Sequence, residues 1–180
     1  MKNNIIFVGG IHGVGKTTIC KSLSTEFNLI HSSASELISK YKKESFSKDK
    51  ATKNIGENQD HLILAIDEYL DKNFQHVIDG HFCLLDENYN INKIPEMVYK
   101  EISPLAIITL FDDVDNIYKR LTQRDNKAFD KLLLSDFQNL ELAYSKKIAM
   151  TSNIPYLEAN PFVEKDNIIN FIKRSLSKQE

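Results

Sequence analysis

Four of the six glycines in this 180-residue chain lie between positions 9 and 15. Gly10-Ile11-His12-Gly13-Val14-Gly15-Lys16-Thr17 has the G-x-x-x-x-G-K-T spacing of a phosphate-binding loop. The flanks suit that loop. Ile5 to Val8 is a short apolar, β-branched run of the kind that forms a fully buried strand. Ile19, Leu23 and Phe27 recur at helical spacing after it, with Thr17 and Thr18 opening the helix. The segment therefore reads as strand, glycine loop and helix N-terminus. Glycines permit positive φ and close backbone approach, so the amides of Gly10, Ile11, His12, Gly13, Val14, Gly15, Lys16, Thr17 and Thr18 can wrap one anion at the positive end of a helix. Lys16 is then expected to reach the β- and γ-phosphates of a nucleoside triphosphate, and the Thr17 hydroxyl to ligate Mg²⁺.

The rest of the chain bounds this reading. Its length suits one domain with a sizeable core. A net charge of −2 offers no nucleic-acid or membrane surface. Cys20 and Cys83 are far apart and lack metal-type spacing; Cys20 falls on the apolar side of the first helix, as a buried thiol would. The four-residue apolar run before the glycines is neither a signal peptide nor a membrane span. A reducing, cytoplasmic setting is the expectation.

Periodicity alternates along the chain. Strands are expected at Leu29 to Ser32, His76 to Gly80, Leu105 to Phe111 and Ile154 to Glu158. Helices are expected at about 34–42, 56–73, 135–152 and from Ile168 to Leu176, with others after Val114 and from Pro95, placed at the first helical position, to Glu101. Residues 43–54 are polar and read as a connection. Strands alternating with helices predict a parallel sheet covered on both faces, an α/β fold with ligands at the carboxyl ends of the strands. Asp79 ends one strand. Beside a phosphate loop an acid there holds Mg²⁺, although an Asp-Gly pair also caps turns.

Two of the three arginines, Arg120 and Arg124, are four residues apart and share a helix face. Against twenty lysines, that placement fits planar contacts to phosphate or stacking. The alternative is a solvated face paired with Asp112 or Asp125. His81 has two readings, an acceptor-phosphate ligand or a turn residue; His12 and His31 read as loop and strand-end residues, His61 and His76 as structural.

Over residues 4–160 the chain resembles the nucleoside monophosphate kinases, within them the archaeal-type, short-lid adenylate kinases. Three stretches carry the resemblance: Gly9 to Thr18, with His12 where Pro is usual; Val77-Ile78-Asp79-Gly80-His81-Phe82; and Arg120-Leu121-Thr122-Gln123-Arg124-Asp125 after Phe111-Asp112-Asp113. The resemblance implies a three-layer P-loop NTPase fold with a five-stranded parallel sheet in order 2-3-1-4-5. It implies that Arg120 lies along the adenine, that Arg124 contacts phosphates and that Asn160 borders the adenine. Residues 32–73 would bind the acceptor, and a short lid, about Arg124 to Lys131 within residues 124–134, would close. The chain departs from these kinases in having no arginine between positions 1 and 119. Lys42, Lys43, Lys48, Lys50 and Lys53 are the nearby cations of the acceptor segment. Three functions follow: transfer of phosphate from Mg·ATP to a nucleoside monophosphate; transfer to a hydroxyl of a nucleoside or other metabolite, with Asp79 or His81 as base; or an ATP-binding regulatory ATPase. The expected partner is a small-molecule acceptor, with the oligomeric state open.

Overall fold

A computed structural model describes residues 4–48, 58–126 and 128–177. The elements run β1 (Ile5–Gly9), α1 (Lys16–Phe27), β2 (Ile30–Ser33), α2 (Ala34–Lys48), α3 (Asn58–Tyr69), β3 (His76–Asp79), β4 (Cys83–Leu85), β5 (Ile91–Lys93), α4 (Glu96–Ile102), β6 (Ala106–Leu110), α5 (Val114–Asp125), α6 (Lys131–Thr151), β7 (Tyr156–Ala159) and α7 (Lys165–Leu176).

Five strands form one parallel sheet in order β2-β3-β1-β6-β7. Counting only the strands of this sheet, that is 2-3-1-4-5; the numbers differ because β4 and β5 pair apart as an antiparallel hairpin. Every residue of β1 and β6 is buried, as expected of central strands covered on both faces. Helix α1 packs on β1, β2 and β3, while α6 and α7 pack on β6 and β7. Since all strands are parallel, the loops after β1, β3, β6 and β7 gather at one end of the sheet.

Most expected elements appear, with shifted boundaries. Helix α2 continues to Lys48 through what reads as a polar connection; residues 49–57, with Lys50 and Lys53, lie outside the described residues. Helix α3 stops at Tyr69 rather than Asn73. Pro95 is the N-cap of α4, with φ −55 and ψ 137, and not its first helical residue. Helix α6 starts four residues before the expected Ser135, because the Asp130 carboxylate caps it by accepting from the amides of Leu132 and Leu133. The β4–β5 hairpin has no counterpart in the reading of the sequence; three-residue strands are too short to show a period.

Candidate functional site

The loop after β1 is held in a shape open to glycine alone. Gly10 has φ 140 and Gly13 φ 79. A Cβ at Gly10 would stand 2.9 Å from the Leu110 carbonyl oxygen, and one at Gly13 would stand 2.8 Å from Leu121 Cγ. Ile11 and Val14 are buried, so their side chains anchor the loop and only their backbone remains for a ligand.

Helix α1 begins without a cap. Gly15, its N-cap, provides no side-chain hydrogen bond, and the first turn has no acid. By contrast, α5 is capped by the Asp113 carboxylate and α6 by Asp130. An uncapped N-terminus leaves amides that an anion can satisfy. Thr17 and Thr18 are exposed at this end. Lys16 is buried, and its Nζ donates to the carbonyls of Gly10 and Ile11 at 2.8 and 3.0 Å. Desolvation lowers its pKa to about 8, against the pull of Glu141 and Asp79.

Lys16, Thr17, Thr18, Asp79, Arg120 and Arg124 line a single cavity of about 660 Å³, together with His12, Gly13 and Gly15. Asp79 ends β3 and is almost fully buried. Its Oδ2 is 2.7 Å from His31 Nε2. The sequence marked His31 only as a strand-end residue; its partner is visible only once β2 lies beside β3. Where β2 meets α2 the cavity wall carries Ser33, Ser35, Ser39 and Lys42, together with Leu62 and Val98. His81 meets His12 ring to ring at 4.4 Å. Burial, followed by repulsion from Lys16, holds His81 well below the usual imidazole range, so it faces the cavity as a neutral ring rather than a cation. A second cavity, of about 580 Å³, lies at the amino ends of β1 and β3 beside Asn4, Ile5 and His76, and contains none of these groups.

Both arginines hold the carboxylates that the sequence named as their alternative partners. Arg120 Nη2 donates to Asp112 Oδ2 at 2.5 Å, and Nε donates to the Gly13 carbonyl at 2.7 Å. Its guanidinium also lies 4.6 Å from the centre of the Phe162 ring. Burial pushes the Asp112 carboxyl up, but hydrogen bonds from Arg120 and Asn160 outweigh it and hold it below the usual range. Asn160 does not line the cavity. It donates to Asp112 Oδ1 at 2.8 Å and so joins the same network from the loop after β7. Arg124 is more exposed and forms a two-pronged pair with the adjacent Asp125, at 2.6 and 2.8 Å.

Helix α6 supplies two residues that the sequence reading missed. Glu141, 1% exposed, accepts from the amides of Gly10 and Phe82 through Oε1 and of Cys83 through Oε2. Gln138, three residues earlier, accepts from the Asp112 amide and donates to its carbonyl. One face of α6 thus ties the loop after β1 to the segments after β3 and β6. The signal was present in the sequence: Glu141 follows Phe137 by four residues and precedes Tyr144 by three, which puts a carboxylate inside an apolar stripe. Leu140, expected on that stripe, is only partly buried. Phe162 had no such signal.

The profile of the AAA domain family matches residues 9–132. No curated protein sequence matches the chain. Among solved structures, a gluconokinase from Sinorhizobium meliloti 1021 superposes with a TM-score of 0.56 at 12% identity, covering 99% of this chain and 97% of that one. An uncharacterized protein from Eubacterium ventriosum ATCC 27560 superposes with a TM-score of 0.51 at 16% identity, covering 96% and 99%. At such identities the likeness is one of fold. Among the described residues no helix is long and apolar enough to cross a membrane.

Proposed function

The chain belongs to the AAA domain family, and on that premise we propose that it is a Mg·ATP-dependent kinase of a small molecule. One observation carries the reading: an uncapped α1 N-terminus, with a buried lysine at its head, shares one cavity with a carboxylate at the end of β3. The fold it shares with a gluconokinase supports a phosphotransferase and leaves the acceptor open.

Bound Mg·ATP would supply the transferable phosphoryl group and the metal's charge neutralisation. The amides from Gly10 to Thr18 would cradle its phosphates, Thr17 and Asp79 would hold the Mg²⁺, and Lys16 would swing from two loop carbonyls onto the phosphate oxygens. Arg120 keeps its guanidinium planar between Asp112 and Phe162, a surface on which an adenine can stack, with Asn160 behind it. Residues 124–134, where α5 gives way to α6, would close as the lid and exclude water. There Arg124 would exchange Asp125 for phosphate. Arg124→Ala is expected to lower turnover roughly a hundredfold. Unchanged turnover would remove the lid assignment.

Residues 32–73 would bind the acceptor, a nucleoside monophosphate on the resemblance of the sequence to adenylate kinases. A second reading has its own observation. The acceptor wall presents serine hydroxyls, the neutral ring of His81 and a carboxylate that His31 orients. A hydroxyl acceptor needs a base, and Asp79 in that setting is one. An acceptor panel separates the readings, with ADP formation from ATP followed alone and with nucleoside monophosphates, nucleosides and small hydroxyl compounds. Acceleration above about a hundredfold by one monophosphate is the expected result. The same acceleration by a hydroxyl compound would move the assignment to the second reading. If nothing accelerates turnover while ATP binds tightly, the protein is a regulatory ATPase instead.

A further inference from the structure

Beneath the phosphate loop, three side chains of different chemistry meet. Cys20 stands one turn after Lys16 on α1, on the same face of the helix. In the parallel pair β2–β3, Ser33 lies opposite Asp79 and His31 lies two residues before Ser33. Alternation of side chains therefore puts His31 and Asp79 on one face of the sheet, and α1 packs against these strands. One ligand atom from each of Cys20, His31 and Asp79 falls within 4.8 Å of the other two.

We propose that Cys20, His31 and Asp79 form a binding site for a thiophilic divalent cation, with Zn²⁺ the fitting ion. Each group is an ordinary zinc ligand, and three protein ligands with an open fourth position make the arrangement found where zinc keeps a water. Around a tetrahedral zinc, ligand atoms stand roughly 3–4 Å apart, so only small side-chain movements separate this cluster from a coordinating one. Thiolate and carboxylate together balance the two charges of the ion; the thiol proton leaves to solvent on binding. Cys20 and Asp79 are buried, while the His31 side chain keeps 15% exposure and gives the ion a way in. Mg²⁺ prefers oxygen ligands and would not recruit the thiolate, so this site is chemically distinct from one built on Thr17 and Asp79, although the two share Asp79. An ion held here occupies the carboxylate that lines the main cavity. That consequence for turnover, unlike the binding itself, rests on the kinase reading.

The test is made first without nucleotide. Chelator-stripped protein is titrated with Zn²⁺ against a chromophoric chelator, and with Co²⁺ as a spectroscopic probe. Expected are one equivalent of tightly bound metal and a near-ultraviolet thiolate-to-cobalt band. Cys20→Ser should abolish the band, and Cys20→Ser and His31→Ala should each weaken Zn²⁺ binding by more than about tenfold, with circular dichroism confirming that each variant is folded. The variants lie on separate elements, so a folding failure in one leaves the other decisive. Absence of stoichiometric binding, or equal affinity in the wild type and a folded variant, would overturn the site. A failed kinase reading would leave this titration unchanged.

Discussion

Lys16→Ala is expected to leave a folded protein whose ATP turnover is lower by at least roughly 10²–10³-fold, the scale of removing one preorganised phosphate-neutralising group. The size follows from position. Lys16 is the cation at the head of α1, buried beside the loop amides, and its Nζ rests on the Gly10 and Ile11 carbonyls. A lysine placed this way is costly to keep. Desolvation lowers its pKa from 10.5 to about 8, so near neutral pH it is charged in a setting that disfavours the charge. The cost has a pH signature. Between about 8 and 10.5 the unfolded chain holds a proton on this lysine that the folded chain has released. Stability attributable to Lys16 therefore rises with pH through that window and is lost as pH falls through about 8. The wild type should gain on Lys16→Met across the window, by at most about 3 kcal/mol. Denaturant unfolding at several pH values measures the gain. A flat difference would show that the lysine is better solvated than its surroundings imply, and full turnover in Lys16→Ala would remove the phosphate-loop reading altogether.

Glu141→Ala is expected to cost about 3–5 kcal/mol of stability, the range for stripping one partner from a buried charged network. Three amides, of Gly10, Phe82 and Cys83, would lose their acceptor in a region without solvent. Glu141→Gln should cost less, about 1–3 kcal/mol, because one amide donor would then face another. Burial raises the Glu141 pKa to about 6, against its three hydrogen bonds and Lys16, so the carboxylate is ionised at neutral pH. A shifted urea midpoint would register both losses, and nucleotide affinity should fall with them as Gly10 is released. A Glu141→Ala unfolding free energy within about 1 kcal/mol of wild type would mean that the loop is held by its glycine geometry alone.

The two predictions differ in how far the sequence anticipated them. The place of Lys16 was readable because it depends on local order: the glycines, the lysine and the helix N-terminus are contiguous, and their spacing is their geometry. The sheet order was accessible through resemblance, and the identity of central strands through unbroken apolar runs. Glu141 was obscured because its partners are 131, 59 and 58 residues away. Periodicity records which face of a helix is buried, not what a polar residue on that face will meet. His31 and Asp79 were each noted as ending a strand, yet their hydrogen bond requires β2 beside β3 in one register. The arginines fall between these cases. Their shared helix face was readable, as were the two carboxylates that hold them, while the stacking of Arg120 on Phe162 awaited a turn that begins after the last strand.

The sequence alone thus determined the phosphate loop, the alternating α/β pattern, the carboxylate that ends a strand and the two arginines that share a helix face, since each is written in spacing along a few adjacent residues. Tertiary structure decided what those groups touch. It joined α6 to the loop through Glu141, brought His31 and Cys20 beside Asp79, and lined the cavity wall between β2 and α2 with serine hydroxyls, because contacts between distant segments are chosen by packing and register and not by local preference.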